Sequence, residues 1–307
     1  MDMCAAPSCA TQIQRGRAKG VIMKKVAVCS MLLAAIVIAG CGKKEDRPAS
    51  TGIRIAVSVF PLYDIARNIC GDRGSAFFVI PAGADPHSFE PRPSIARDLQ
   101  DTALFVGVAR EFDGWIERYL PSSAARVYLI ESRPGAPEQN PHLWLSVKKA
   151  RGIAETMARR MGAVDPGNSG YYLDNLKAYE KRLDALDKSI ADLFIRKKKK
   201  SFIQWHEAWD YFAADYGLTI AGTVQREGSE KASVRSMKEI VDRARRDGVT
   251  AIVVGLSSEE RTARVLAGEI KGDIVRLDGT GDPASADRST YLDVMKYNAE
   301  TLAKALK

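Results

Sequence analysis

The sequence predicts an α/β protein of two lobes, each a small, mainly parallel sheet flanked by helices, joined by one long spine helix. Three observations carry this expectation. Short apolar runs alternate with helix-patterned segments from residue 53 onward, the alternation restarts after residue 200, and one unbroken amphipathic stretch lies between the halves. Alternation of strand and helix is the pattern of βαβ units, which build parallel sheets.

In the first half the strand candidates are 53–60, 76–80, 103–107 and 127–130, with helical patterns at 62–70 and 112–120. In the second half they are 201–204, 218–221, 251–255 and 274–277, with helical patterns at 207–216, 234–247, 258–270 and 290–306. The architecture repeats without a sequence repeat. Between the halves, residues 171–194 place Leu173, Leu176, Tyr179, Leu183, Leu186, Ile190 and Leu193 at intervals of three and four. That is one apolar face on a single helix, with charges on the other face. A helix of about 24 residues at 1.5 Å each is roughly 36 Å long, enough to run along both lobes. The competing use of such a face, a coiled-coil seam, needs a longer heptad run than this.

The N-terminus has its own grammar. Residues 26–40, VAVCSMLLAAIVIAG, follow Lys24 and Lys25 and end before Cys41. The run is too short for a spanning helix but fits the apolar region of a signal peptide. Ile38-Ala39-Gly40-Cys41 resembles a bacterial lipobox, in which the cysteine is lipidated and becomes the first residue. The expected organisation is a leader over 1–40 (a start-site extension over 1–22 and a lipoprotein signal peptide over 23–40) and a tether over 41–52. An N-terminal lobe over 53–166, a linking helix over 167–196 and a C-terminal metal-binding lobe over 197–307 follow. Only Cys41 and Cys70 survive such processing, so a lipidated Cys41 leaves Cys70 without a disulfide partner.

Composition narrows the function classes. Half of the formal charge of +8 falls in residues 1–40, and the remainder is dispersed. The one dense basic run, Arg196-Lys197-Lys198-Lys199-Lys200, fits a solvated helix end, and no nucleic-acid partner is expected. No GxxxxGK[ST] or GxGxxG follows a strand, so nucleotide binding is not indicated.

The chain has three histidines, His87, His142 and His206. His87 lies in GADPHSFEPRPS, a proline-stiffened segment after a strand. His142 lies in NPHLWLS, before a helix that Ser146 is placed to cap, and His206 lies in FIQWHEAWDYF, between a strand and a helix. Open α/β sheets bind ligands beyond the carboxyl ends of their strands, where at least two of these histidines fall. Three neutral imidazoles and a carboxylate suit a tetrahedral zinc ion, although separations of 55 and 64 residues carry no motif by themselves. The HEAWD segment at 206–210 lacks the second histidine of the metalloprotease HExxH, so a zinc hydrolase is a remote alternative.

The segments VSVFPLYDIARNICGD, PAGADPHSFEPRPSIARDLQDTALFVGVAREFDGWIER, NPHLWLSVKKARGIAETMA, FIQWHEAWDYFAADYGL and TYLDVMKYNAETLAKAL closely resemble the zinc/manganese substrate-binding lipoproteins of bacterial metal ABC importers. The resemblance covers residues 53 to 307. It implies an extracytoplasmic protein, anchored to a membrane through lipidated Cys41. It also implies a monomer that captures a divalent ion between its lobes and delivers it to a permease and its ATPase without enzymatic chemistry. His87, His142 and His206 would then be ligands, with Asp278 in IVRLDGTGD as the fourth and Asp282 as its rival. Asp85 and Glu90 would support or flank the site. Two departures bear on this. Residues 131–141 hold none of the histidines that many zinc-specific members carry in a loop there, and Gly255-Leu256-Ser257 stands where the family often has Glu-Pro-Gln. The manganese branch often has a carboxylate at the third ligand position, so His206 favours Zn2+ over the alternative, Mn2+. A manganese- or iron-binding homologue and a metal-binding surface adhesin are the alternatives for an anchored protein of this kind.

Overall fold

The computed structural model describes residues 52–131, 139–226, 232–256 and 260–306. The leader, Cys41 and the tether through Thr51 lie outside the described residues, as do Ser257 and most of the histidine-free segment 131–141.

Among the described residues there are two four-stranded parallel sheets. The first contains β1 (Ile53–Val57), β2 (Gly74–Phe78), β3 (Leu104–Gly107) and β4 (Ala125–Tyr128) in the order β2-β1-β3-β4. The second contains β5 (Ser201–His206), β6 (Thr219–Gln225), β7 (Ala251–Gly255) and β8 (Asp273–Leu277) in the order β6-β5-β7-β8. Every pairing is parallel. The central strands β3 and β7 are apolar almost throughout and buried, as sheets covered on both faces require. In each sheet the strand order reverses beside its first strand, which opens a crevice at the carboxyl ends.

The helices are α1 (Phe60–Cys70), α2 (Ile95–Leu99), α3 (Arg110–Asp113), α4 (Val147–Val164), α5 (Ser169–Ile195), α6 (Asp210–Asp215), α7 (Val234–Arg246), α8 (Glu260–Ile270) and α9 (Tyr291–Ala305). Several boundaries differ from expectation: β2 and β4 lie two residues earlier, β6 runs on to Gln225, and three further differences have a local cause. The first strand ends at Val57 rather than residue 60, because Pro61 fits the first turn of a helix, where its missing N–H costs nothing. The helix expected over 112–120 is α3 followed by a 3₁₀ segment, Gly114–Tyr119, with Gly114 at the break. The helix expected from 207 starts at Asp210, because β5 runs on to His206 and a turn follows.

The spine α5 has 27 residues and buries Tyr172, Leu176, Tyr179, Leu183, Leu186, Ile190 and Phe194. The buried stripe therefore begins and ends on aromatics, and Leu173, expected in it, is 44% exposed. At 100° per residue, Tyr172 and Leu173 cannot both lie at the centre of one face, and the larger ring takes the inside. One continuous apolar cluster runs from β1 through α4 and the spine to β5, β7 and α9, so the lobes share a core. Smaller clusters cover the outer side of each sheet. Cys70 is free and buried within the shared core, and burial pushes its thiol up to about 11, as expected of a structural cysteine.

Asp113 is fully buried at the end of α3, where its carboxylate accepts from the backbone N–H groups of Val108 (2.6 Å) and Ala109 (3.3 Å). Burial outweighs these bonds and raises its pKa from 3.8 to about 6. The folded state therefore holds a proton that the unfolded chain has released between those values, and the contribution of Asp113 to stability falls as pH rises through that window. The difference is worth about 3 kcal/mol. Urea unfolding at pH 4 to 7 should show this slope in the wild type and a flatter profile in Asp113→Asn.

Candidate metal centre

The segment carrying His87 is built by local hydrogen bonds. After β2 the chain keeps two sheet-like bonds, Val79 N to Val57 O and Ile80 N to Ser58 O, both 2.9 Å. It then turns through Gly83, whose φ of 78° favours glycine. Asp85 Oδ1 accepts from the N–H of His87 at 3.0 Å and Oδ2 from the Ser88 hydroxyl at 3.0 Å. Asp85 thus shapes the turn that presents His87, whereas Glu90 is exposed.

His142 precedes a 3₁₀ turn, Leu143–Leu145, and Ser146 caps α4 by accepting from the N–H of Lys149 at 3.0 Å. The ring is oriented by Asn140. Its side-chain amide donates to the carbonyl of Glu207 (3.0 Å) and to Asp210 Oδ2 (3.2 Å), which leaves Oδ1 facing His142. That oxygen lies 2.9 Å from the His142 backbone nitrogen and 2.8 Å from Nδ1. An amide oxygen only accepts, so Nδ1 carries the proton and Nε2 presents its lone pair. His206 is the last residue of β5, at the carboxyl end of the second sheet. Behind it Gln204 accepts from the N–H of Trp209 (3.0 Å) and donates to Asp210 Oδ2 (3.1 Å), fixing the turn after the strand.

These three pieces of chain converge. Nε2 of His87 lies 3.3 Å from Nε2 of His142 and 3.2 Å from Nε2 of His206. One ligand atom from each histidine falls within 4.8 Å of the other two. Around a tetrahedral ion with Zn–N bonds near 2.0–2.1 Å, ligand nitrogens stand about 3.3–3.4 Å apart, close to the two distances from His87. His142 is buried, His206 is half-buried and His87 is exposed, so one side of the cluster faces solvent. Burial, then the nearby His206 and His87, hold His142 well below the ordinary imidazole range, and it stays neutral. Phe112 meets the His87 ring edge-on at 5.3 Å and Trp144 lies 5.3 Å from the His142 ring, forming an apolar wall.

Asp278 follows β8, as expected, and is buried, but its carboxylate is not in the three-atom cluster. Oδ1 accepts from the N–H groups of Thr280 (3.0 Å) and Gly281 (2.7 Å), and Oδ2 from Arg288 Nε (2.9 Å). Asp282 caps its own turn, accepting from Ala284 N at 2.8 Å. Glu207 lies in the turn before α6, so the HEAWD segment is not on one helix face and the geometry of a metalloprotease motif is absent.

Sequence reasoning missed Asn140, Asp210 and Arg288. Asn140 was visible as the residue two before His142, yet its role depends on a partner that sits 70 residues away.

Comparison with known proteins gives the family. The family described as zinc-uptake complex component A, periplasmic, matches residues 55–305. The manganese ABC transporter substrate-binding lipoprotein PsaA of Streptococcus mitis is 26% identical, the match covering 92% of this chain and 99% of that protein. The manganese-binding lipoprotein MntA of Halalkalibacterium halodurans is 27% identical over the same shares. A crystal structure of a zinc-bound ZnuA deletion mutant superposes with a TM-score of 0.74 at 25% identity, covering 83% of this chain and 98% of that one.

Proposed function

Because the chain belongs to the family of the periplasmic zinc-uptake complex component A, we propose that it is the substrate-binding protein of a metal ABC importer. It captures a divalent ion on His87, His142 and His206, with Asp278 completing the shell, and delivers it to a permease driven by its ATPase. The observation that carries this is the convergence of three Nε2 atoms, two from the first lobe and one from the end of β5, with His87 at 3.2–3.3 Å from the other two. Binding exchanges the waters of the ion for imidazole nitrogens, with no bond made or broken in a substrate. His142 is already in the ligating tautomer, so its share of the ordering is complete before the ion arrives. The shared core and spine favour small shifts between the lobes over a wide hinge.

The cargo assigned is zinc. Three imidazoles suit zinc, and a manganese site more typically gathers oxygen ligands. Manganese is the second reading, favoured by the named cargo of the PsaA and MntA relatives. Metal analysis of protein purified without added metal, followed by competition between the two ions, tests both. Zinc in the protein as purified, held with a preference well beyond the ordinary advantage of zinc over manganese, supports the assignment, and manganese in the protein as purified overturns it. Absence of stoichiometric binding by either ion overturns the transport reading itself.

The protein acts as a monomer on the outer side of a membrane, held by acylated Cys41 and the 41–52 tether. The lobes are assigned to 53–166 and 197–307, with 167–196 as the link. No helix among the described residues is long and apolar enough to cross a membrane. Intact mass of membrane-extracted protein should give a diacylated or triacylated chain beginning at Cys41, and an unmodified chain would refute the anchor.

A further inference from the structure

Asp278 and Arg288 form an ion pair whose two partners are both largely buried, with side chains 8% and 21% exposed. The pair lies next to the histidine cluster. In the second sheet Gln204 is level with Val253, and Val253 with Val275. Leu277 is therefore level with His206, two strand spacings or about 10 Å across the sheet, and Asp278 is one residue further on. The next residue, Gly279, accepts at its carbonyl from the Trp144 indole N–H (2.7 Å), and Trp144 packs against His142. The Asp278 backbone is held at both ends by Asn298 of α9, with two bonds of 2.7 Å. Arg288 has a second acidic neighbour. Its Nη1 lies 2.5 Å from Asp287 Oδ1, and its guanidinium stands 4.8 Å from the Tyr297 ring centre.

We propose that Arg288 is a displaceable internal counter-ion of Asp278, which holds the carboxylate when no cargo is bound and yields it to the arriving dication. This rests on the assignment of the three histidines as the capture site. A buried carboxylate needs a positive partner, and both Arg288 and a divalent ion supply one. They compete for the same oxygen, Oδ2, while Oδ1 stays on the N–H groups of Thr280 and Gly281. Once displaced, the guanidinium keeps Asp287 and the Tyr297 face, so it is not left without partners. The exchange does two things for a carrier. It keeps the Asp278 carboxylate ordered while the site waits, and it weakens net affinity, because every ion bound must first break the Arg288 pair. Arg288 thereby returns to Asp278 as the ion leaves for the permease.

The test is a double-mutant cycle read by competition titration with zinc. Arg288→Gln should bind zinc about tenfold more tightly than the wild type and release it more slowly. In the Asp278→Asn background the same substitution should have no effect. A gain that persists there would mean simple charge repulsion and overturn the exchange, as would an unchanged or weaker affinity in folded Arg288→Gln. A second readout needs no variant of uncertain folding. In the wild type, the 15N resonance of Arg288 Nε–H should shift as zinc is added, and an unmoved resonance at saturation overturns the proposal. The His142→Ala variant separates the capture site from the counter-ion role. If it abolishes zinc binding while the Arg288 resonance of the wild type never moves, the capture site stands and the counter-ion role falls. If it binds zinc as the wild type does, the capture site itself is wrong.

Discussion

Replacing His142 with alanine is expected to lower zinc affinity by two to three orders of magnitude. A four-ligand zinc site is worth about 10–16 kcal/mol, so one ligand carries roughly 3–4 kcal/mol, which at about 1.4 kcal/mol per decade is two to three decades. His142 should be the most damaging of the three. Its lone pair is set in place by the Asn140 amide oxygen, whereas His87 sits on an exposed turn that can readjust. Asn140→Ala should then weaken binding by roughly 10–100-fold without touching the ion, as loss of an outer partner of a ligating histidine does. The thermal midpoint of the metal-free protein serves as the folding control, because the added metal stabilises only chains that bind it. A His142→Ala protein with wild-type zinc affinity would remove the residue from the site. Proton counting sharpens the result. His142 is neutral before binding, so it contributes no proton when zinc binds, and calorimetry in buffers of different ionisation enthalpy should find fewer protons released than three histidines would supply.

The two parallel sheets were legible because their inner strands, such as β3 and β7, read as short apolar runs between turn signals. The spine was legible because a 3.6-residue period survives over many turns. Its exact face was not, since Tyr172 and Phe194 compete with Leu173 and Leu193 for the inside and only tertiary packing decides. The histidines were identifiable as residues, but separations of 55 and 64 hid their convergence, which depends on where two loop segments meet the end of β5. The Asp278–Arg288 pair was hidden for another reason. Its ten-residue separation spans an irregular segment with no period to read. Asp278 was expected to face an ion on the strength of resemblance, and nothing in the sequence showed that a cation of the chain itself already holds it.

Asp64→Ala is expected to destabilise the protein by about 3 kcal/mol, and the reason connects the core to the metal site. Asp64 on α1 is 1% exposed. Its Oδ2 accepts from the N–H of Tyr291, the first residue of α9, at 2.9 Å, while Oδ1 pairs with Arg67 at 2.9 Å. Truncation leaves the buried Tyr291 N–H without an acceptor, worth ~1–3 kcal/mol, and adds a small cavity. Arg67 is half exposed, so its loss of a partner adds little. Burial, the largest influence, raises the Asp64 pKa, and the Tyr291 N–H and Arg67 offset it only in part. The sign follows: above the ordinary 3.8, stability falls as pH rises through the raised value, so the charged form is a net cost at neutral pH. Asp64→Asn, which keeps an acceptor and drops the charge, should therefore be milder than Asp64→Ala in urea unfolding at pH 7. Equal losses would mean that the charge, not the acceptor, holds α9. The same bond positions the metal site at a distance. Tyr291 also donates its hydroxyl to the carbonyl of Trp144 (2.8 Å), and Asn298, two turns along α9, holds the Asp278 backbone. A loosened α9 start is thus expected to shift both the wall behind His142 and the proposed fourth ligand, and Asp64→Ala should lose several-fold in zinc affinity although Asp64 touches none of the histidines.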